Sequence, residues 1–123
     1  MITRGFSSEL IETVLDRLVE VQLQSDQRFA PLFVRSRALK GYGPVRIAME
    51  LRQKGVSETL VRQALQQSEL DWFESAARQC RKRFGDQPAT DRAEQAKRWR
   101  FLQYRGFDSE QTRYALQSEV ETQ

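Results

Sequence analysis

A phrase made of a basic residue, a glycine, an apolar residue and a helix-capping residue occurs three times in this chain of 123 residues: Arg4-Gly5-Phe6-Ser7, Lys54-Gly55-Val56-Ser57 and Arg105-Gly106-Phe107-Asp108. The three glycines are spaced by 50 and 51 residues. Each phrase is followed at fixed offsets by one set of core candidates: Ile11, Val14, Leu15; then Val61, Ala64, Leu65; then Thr112, Ala115, Leu116. Self-similarity at a constant period marks stacked supersecondary units, so the chain reads as a repeat protein.

The phrase has a mechanical meaning. A cation followed by glycine ends one helix, the glycine taking the left-handed position past the last turn and the cation sitting near the carbonyl end of the dipole. Ser7, Ser57 or Asp108 then caps the next helix, and Asp108 with Gln111 forms a capping box. Each phrase is a helix-turn-helix joint. Phe29, Leu32 and Phe33 place a core face on a helix over 27–40, and Trp72, Phe73, Ala76, Ala77 and Cys80 do the same over 71–84. Pro44 opens a helix to Lys54 with Ile47, Ala48 and Leu51 inward, and its counterpart runs from about Asp91 to Tyr104 with Trp99 and Leu102 inward. Gly41-Tyr42-Gly43-Pro44 reads as a turn between helices, and Gly85-Asp86-Gln87-Pro88 as a loop.

The expected architecture is all-α: tandem three-helix, helix-turn-helix-like repeats in an elongated, curved stack with the first repeat incomplete. Residues 1–25 hold the last helix of repeat 1, 26–70 repeat 2 and 71–123 repeat 3. Gln111 and Thr112 stand where repeat 2 has Leu60 and Val61, which reads as the polar face of a terminal repeat. The face of Ile11, Val14, Leu15 and Leu18 lacks in-repeat partners. It is expected either to repack against repeat 2 or to form a symmetric contact in a dimer.

Composition removes most chemistries. There is no histidine and one cysteine, Cys80, so zinc sites of the Cys/His kind, Ser-His or Cys-His nucleophile pairs and internal disulfides are all excluded. No phosphate-cradling glycine loop of either standard kind is present. The carboxylate pairs Glu9/Glu12 and Asp71/Glu74 read as solvated helix faces. The expectation is a non-enzymatic protein without cofactor or metal, outside the membrane, in the reducing cytoplasm.

The 20 basic and 17 acidic residues are distributed in blocks. Residues 28–54 carry 7 basic and 1 acidic side chains, and residues 78–105 carry 9 and 3, whereas 1–27, 55–77 and 106–123 are acidic on balance. The first two helices of each complete repeat are therefore basic and the third acidic. Part of this charge knits the repeats together, and the excess is available to phosphates or an acidic protein surface.

The run Leu39-Lys40-Gly41-Tyr42-Gly43-Pro44-Val45-Arg46-Ile47-Ala48-Met49-Glu50-Leu51-Arg52-Gln53-Lys54-Gly55-Val56 resembles the RecX family of bacterial recombinase regulators. Arg28-Phe29-Ala30 with Phe33 and Arg37, and Arg100-Phe101-Leu102-Gln103-Tyr104-Arg105-Gly106-Phe107, carry the same resemblance. It implies three tandem three-helix repeats and a place in recombination and DNA repair, including the SOS response. It implies that the chain binds the RecA recombinase or its single-stranded DNA filament and inhibits ATP hydrolysis, filament extension and strand exchange. The chain departs from the family at Gln22-Leu23-Gln24-Ser25-Asp26, where a glycine, an aromatic, a leucine and two acids are usual.

The partner-binding candidates are residues of the basic helices: Arg35, Arg37, Lys40, Tyr42, Arg46, Arg52, Lys54, Arg81, Lys82, Lys97 and Arg98. Trp72, Trp99 and Cys80 read as core. The alternative is a direct nucleic-acid-binding helical repeat protein, but the helix after each joint, where a groove-reading helix would lie, is acidic. Weak contact with single-stranded DNA stays compatible with the charge pattern.

Overall fold

Three of the turns between helices close in one way, dictated by glycine. At Gly41, Gly55 and Gly106 the backbone takes φ of +95°, +88° and +100°. In each case the next residue's N–H returns to a carbonyl five residues back: Tyr42 to Arg37, Val56 to Leu51 and Phe107 to Leu102, all at 3.1 Å. The glycine N–H bonds three residues back, to Ala38, Arg52 and Gln103, each at 3.0 Å. These are Schellman motifs, which satisfy carbonyls a helix end would otherwise leave open. Two of them are the expected joints. The third is at Lys40-Gly41-Tyr42, which also reads basic-glycine-apolar.

The computed structural model describes residues 8–121, with the side chains of Val14, Arg17, Val21 and 25–117; the joint at Gly5 and the cap Ser7 lie outside them. All regular structure in this range is helical: α1 Ser8–Leu39, α2 Pro44–Gln53, α3 Glu58–Gln67, α4 Trp72–Phe84, α5 Arg92–Arg105 and α6 Ser109–Glu121. The second half of α1 with α2 and α3 forms one three-helix unit, and α4, α5 and α6 form the next. In both units the first helix packs most heavily on the third. The fold is all-α, in tandem helical repeats.

One expected boundary is missing. The sequence pattern places a separate helix over 27–40 after the last helix of repeat 1, yet α1 runs unbroken for 32 residues. The reason lies in the departure at Gln22-Leu23-Gln24-Ser25-Asp26: without a glycine there, nothing between Ser8 and Ala30 breaks the helix. Pro31 lies inside α1, where it removes one backbone donor.

Caps start the helices as their chemistry requires. Ser57 Oγ accepts from Leu60 N–H at 3.3 Å, and Asp91 Oδ1 from Glu94 N–H at 2.7 Å. Asp108 and Gln111 form the reciprocal box: Gln111 N–H donates to Asp108 Oδ1 at 2.7 Å, and Asp108 N–H to Gln111 Oε1 at 3.0 Å.

The core has two clusters. Ala30, Val34, Ile47, Leu51, Val56, Leu60, Val61 and Ala64 fill the first. Ala76, Ala77, Cys80, Leu102, Phe107 and Ala115 fill the second, and Trp72 packs against both. Burying a side chain such as Ile47 or Leu102 stabilises by about 1.5–3 kcal/mol. Cys80 is a fully buried free thiol, in keeping with its place on the apolar stripe.

Gln111 and Thr112 depart from the reading as a polar terminal face, because both are buried. Thr112 Oγ1 donates to the Asp108 carbonyl at 2.7 Å and accepts from Gln103 Nε2 at 3.0 Å. Polar groups with complete hydrogen bonding sit in a core at small net cost.

Candidate partner-binding surface at the joint between repeats

Two turns from different repeats meet backbone to backbone. Gly43 N–H donates to the Arg105 carbonyl at 2.8 Å, and Val45 N–H to the Gly106 carbonyl at 2.9 Å. The approach is so close that a Cβ on Gly43 would fall 2.5 Å from the Gly106 carbonyl, and one on Gly106 would fall 2.2 Å from Arg46 Cβ. Only glycine permits this contact. Its effect is to fix the start of α2 against the end of α5.

A shell of cations and rings surrounds the joint. Tyr42 is half-buried, with the guanidinium groups of Arg46, Arg105 and Arg37 at 4.3, 5.4 and 5.7 Å from its ring centroid. Arg46 also donates to the Tyr104 carbonyl at 3.3 Å, and Arg105 donates across the joint to the Lys40 carbonyl at 3.3 Å. Glu50 balances part of this charge, its oxygens lying 3.3 Å from Arg37 Nε and 3.8 Å from Arg46 Nε. Arg37, Tyr42 and Arg46 are thus brought together as parts of the joint itself.

The remaining candidates fall into three groups. Arg35, Lys54 and Lys97 are exposed on the basic helices, with Lys54 Nζ 5.6 Å from the Phe33 ring. Arg52 and Arg81 are exposed but engaged: Arg52 grips Glu58 with two bonds of 2.6 and 2.9 Å, and Arg81 bonds Glu74 at 3.1 Å. The bond to Arg52 holds the Glu58 carboxyl below the usual glutamate range and raises the guanidinium pKa in turn. Lys40 and Lys82 line a hollow beside the joint.

Arg98 stands apart, with 4% of its surface exposed. Its Nε lies 3.3 Å from Glu94 Oε1, its Nη1 donates to the Gln87 carbonyl at 2.9 Å, and its guanidinium sits 5.2 Å from the Phe84 ring centroid. It ties the 85–91 loop to α5. The repeat register carries the signal for this role, since aligning Gly106 on Gly55 places Arg98 on the buried Ile47.

Sequence reading missed the apolar side of the joint. Val45, Met49 and Tyr104 are 54%, 47% and 74% exposed. They line an open groove of about 550 Å³ with Arg46, Glu50, Gln53 and Gln103. Individually each falls in a helical pattern; only the pairing of α2 with the end of α5 gathers them. On α1, Val14 and Val21 are also exposed, at 50% and 61%, whereas the side chains of Ile11, Leu15 and Leu18 lie outside the described residues. Among the described residues, no cluster of His, Cys, Asp or Glu could hold a metal ion, and no helix is long and apolar enough to cross a membrane.

Comparison with known proteins accounts for this arrangement. The second three-helix domain of RecX matches residues 25–65, and the third matches 69–116. Regulatory protein RecX of Chromohalobacter salexigens is 45% identical over 116 residues, which span 94% of this chain and 76% of that protein. Regulatory protein RecX of Halorhodospira halophila is 43% identical over 112 residues, spanning 91% and 70%, and that of Pseudomonas putida GB-1 is 45% identical over 104, spanning 85% and 67%. With both domains matched in order and in the positions of the two repeats just described, the chain belongs to the RecX family.

Proposed function

We propose that this chain is a non-enzymatic regulator that binds the RecA recombinase, or its filament on single-stranded DNA, and restrains ATP hydrolysis, filament extension and strand exchange. The observation that carries the reading is the joint. Two basic repeats are tied together by backbone hydrogen bonds through glycines that admit no side chain, and an apolar groove opens at their seam. A body of that kind can touch neighbouring subunits of a filament at once. Binding energy spent on one inter-subunit geometry shifts the population toward it, and turnover that requires another geometry slows without any chemistry in the regulator. Such a protein works in the cytoplasm, where the filament forms.

The contact surface in this reading is the groove of Val45, Met49 and Tyr104, with the exposed cations Arg35, Arg52, Lys54 and Lys97 of the basic helices contributing further contacts. Aromatic anchors dominate interface energies, and rim charges steer association. Arg46 lines the groove and, with Arg37, lies against the Tyr42 ring, whereas the buried Arg98 offers no contact. The test is binding to a preformed recombinase filament, measured by co-sedimentation. Tyr104→Ala combined with Met49→Ser removes only exposed side chains, so the helices stay folded and affinity falls about tenfold or more. Equal binding by the variant and the parent chain would remove the groove from the contact.

A second reading, weak contact with single-stranded DNA, draws support from Tyr104, whose ring is exposed with the Arg46 guanidinium 5.4 Å from its centroid. Bases stack on such rings, and affinity for an oligothymidylate would then fall steeply with added salt. Pairing of two copies through the first-helix face of Ile11, Val14, Leu15 and Leu18, on which Val14 is exposed, is part of the proposal, and sedimentation equilibrium decides it.

A further inference from the structure

We propose that the hollow between the ends of α1, α4 and α5 is a binding site for a phosphate dianion. The site goes beyond the recombinase reading and does not depend on it. It is lined by Lys40, Gln79, Lys82, Arg83, Phe101 and Arg105, and it encloses about 170 Å³. Four of these six side chains are cationic and none is a carboxylate.

This charge has no acidic partner among the described residues. The ion pairs among the described residues engage Arg37, Arg46, Arg52, Arg81 and Arg98, and none engages Lys40, Lys82, Arg83 or Arg105. The helix ends explain only part of it. Three C-termini approach the hollow, each worth about −0.5 charge, which sets about −1.5 against four positive charges. Like charges gathered in this way repel, and the excess is close to what a doubly charged anion neutralises.

The two guanidinium groups are also held in place. Phe84 and Phe101 pack edge to face with centroids 5.3 Å apart. Arg105 lies 5.2 Å from the Phe101 centroid and 5.4 Å from that of Tyr42, and its Nη1 is bonded to the Lys40 carbonyl. Arg83 lies 5.9 Å from Phe101 and 5.7 Å from Phe84. Two guanidinium forks set by one aromatic floor, with two ammonium groups beside them, are suited to phosphate oxygens. Size decides how much of a ligand enters. Pockets for whole drug-sized molecules start at about 300 Å³, so this hollow admits a phosphate group and leaves any nucleoside outside.

The experiment is a nitrogen-15 NMR titration of the full chain at constant ionic strength with inorganic phosphate, acetate, ADP, and an oligothymidylate with and without a 5′-phosphate. Phosphate is expected to move the Arg83 and Arg105 Nε–H and Gln79 amide signals saturably, and to bind at least tenfold tighter than acetate. Lys82→Ala with Arg83→Ala, two exposed positions, weakens phosphate binding at least tenfold, whereas Arg62→Ala on α3 leaves it unchanged. Both ADP and the 5′-phosphorylated strand carry the dianion, and the tighter of the two identifies its source. Absence of saturation, equal binding of acetate, or shifts by the oligonucleotide irrespective of its 5′-phosphate would each overturn the proposal. No recombinase is present in this titration, so its failure leaves the regulatory reading standing.

Discussion

Repeats 2 and 3 set three helices in the same order around chemically different cores. When their sequences are aligned at Gly55 and Gly106, Leu51 falls on Leu102, Val56 on Phe107 and Ala64 on Ala115, all buried. Three other buried positions change character: Ile47, Leu60 and Val61 become Arg98, Gln111 and Thr112. Repeat 2 is held mainly by apolar burial, and repeat 3 combines it with hydrogen bonds that return to the joint and to the loop before α5. The lesson is that a side chain's role follows its position in the repeat before its chemical type. A cation on an outer face is available to a partner, and a cation at the Ile47 position is part of the structure.

The strongest way to break the comparison is to exchange that position. Ile47→Arg buries a guanidinium with no acid arranged to receive it and should cost more than about 4 kcal/mol, enough to unfold repeat 2. The reverse change, Arg98→Ile, should lie between neutral and about 2 kcal/mol stabilising, because buried ion pairs rarely outperform a well-packed hydrocarbon. Urea denaturation of the two variants checks both, and equal losses would show that the repeats are not equivalent at this layer.

Next in size is the joint. Gly43→Ala drives a methyl into the Gly106 carbonyl and should cost about 1–3 kcal/mol, with loss of hydrogen-exchange protection at the Val45 amide. Gly55→Ala sharpens the point: no atom lies within 4 Å of its added Cβ, so it should cost about 1–2 kcal/mol, from the positive φ alone. The Val45 amide should stay protected in that variant. Smaller still are the caps. Asp108→Ala opens a reciprocal box with bonds of 2.7 and 3.0 Å and should cost about 1–2 kcal/mol, and Ser57→Ala, which loses one bond of 3.3 Å, about 0.5–1 kcal/mol. Thermal unfolding measures the difference.

The smallest effect separates the repeats by pH. Arg52 and Glu58 form a bidentate pair in repeat 2, while repeat 3 has Gln103 and Ser109 at those places. Because the Glu58 carboxyl is lowered by its bond to Arg52, it stabilises the folded state above the unfolded glutamate value of about 4.3. That stabilisation is lost as pH falls through the lowered value. About half of each side chain is open to solvent, so only a shallow acid limb is expected, and Glu58→Gln should remove it.

Much of the fold was legible because local rules set it. The glycine joints, Ser57, the Asp108/Gln111 box, Pro44 and the inward faces of Ile47, Ala48 and Leu51 and of Ala76, Ala77 and Cys80 each follow from residues close together in sequence, whereas on α1 burial falls on Ala30 and Val34 and leaves the expected Phe29 and Leu32 exposed. What escaped the sequence depends on distance or on an absent signal. The unbroken α1 follows from a glycine that this chain lacks between Ser8 and Ala30. The charge of Arg98 points to a contact residue, although the period places it on the buried Ile47. The joint of Gly43 with Gly106, the groove at Met49 and Tyr104 and the cationic hollow of Lys40 with Lys82 and Arg105 arise only when residues 42 to 65 positions apart meet. No local pattern announces them.

The account is tested most directly by ATP hydrolysis of the cognate RecA recombinase on single-stranded DNA, titrated with this folded chain. A regulator that ties neighbouring subunits into one geometry predicts inhibition at well below one chain per recombinase subunit. Undiminished hydrolysis at stoichiometric excess, with the chain's helicity and cooperative unfolding intact, would contradict it.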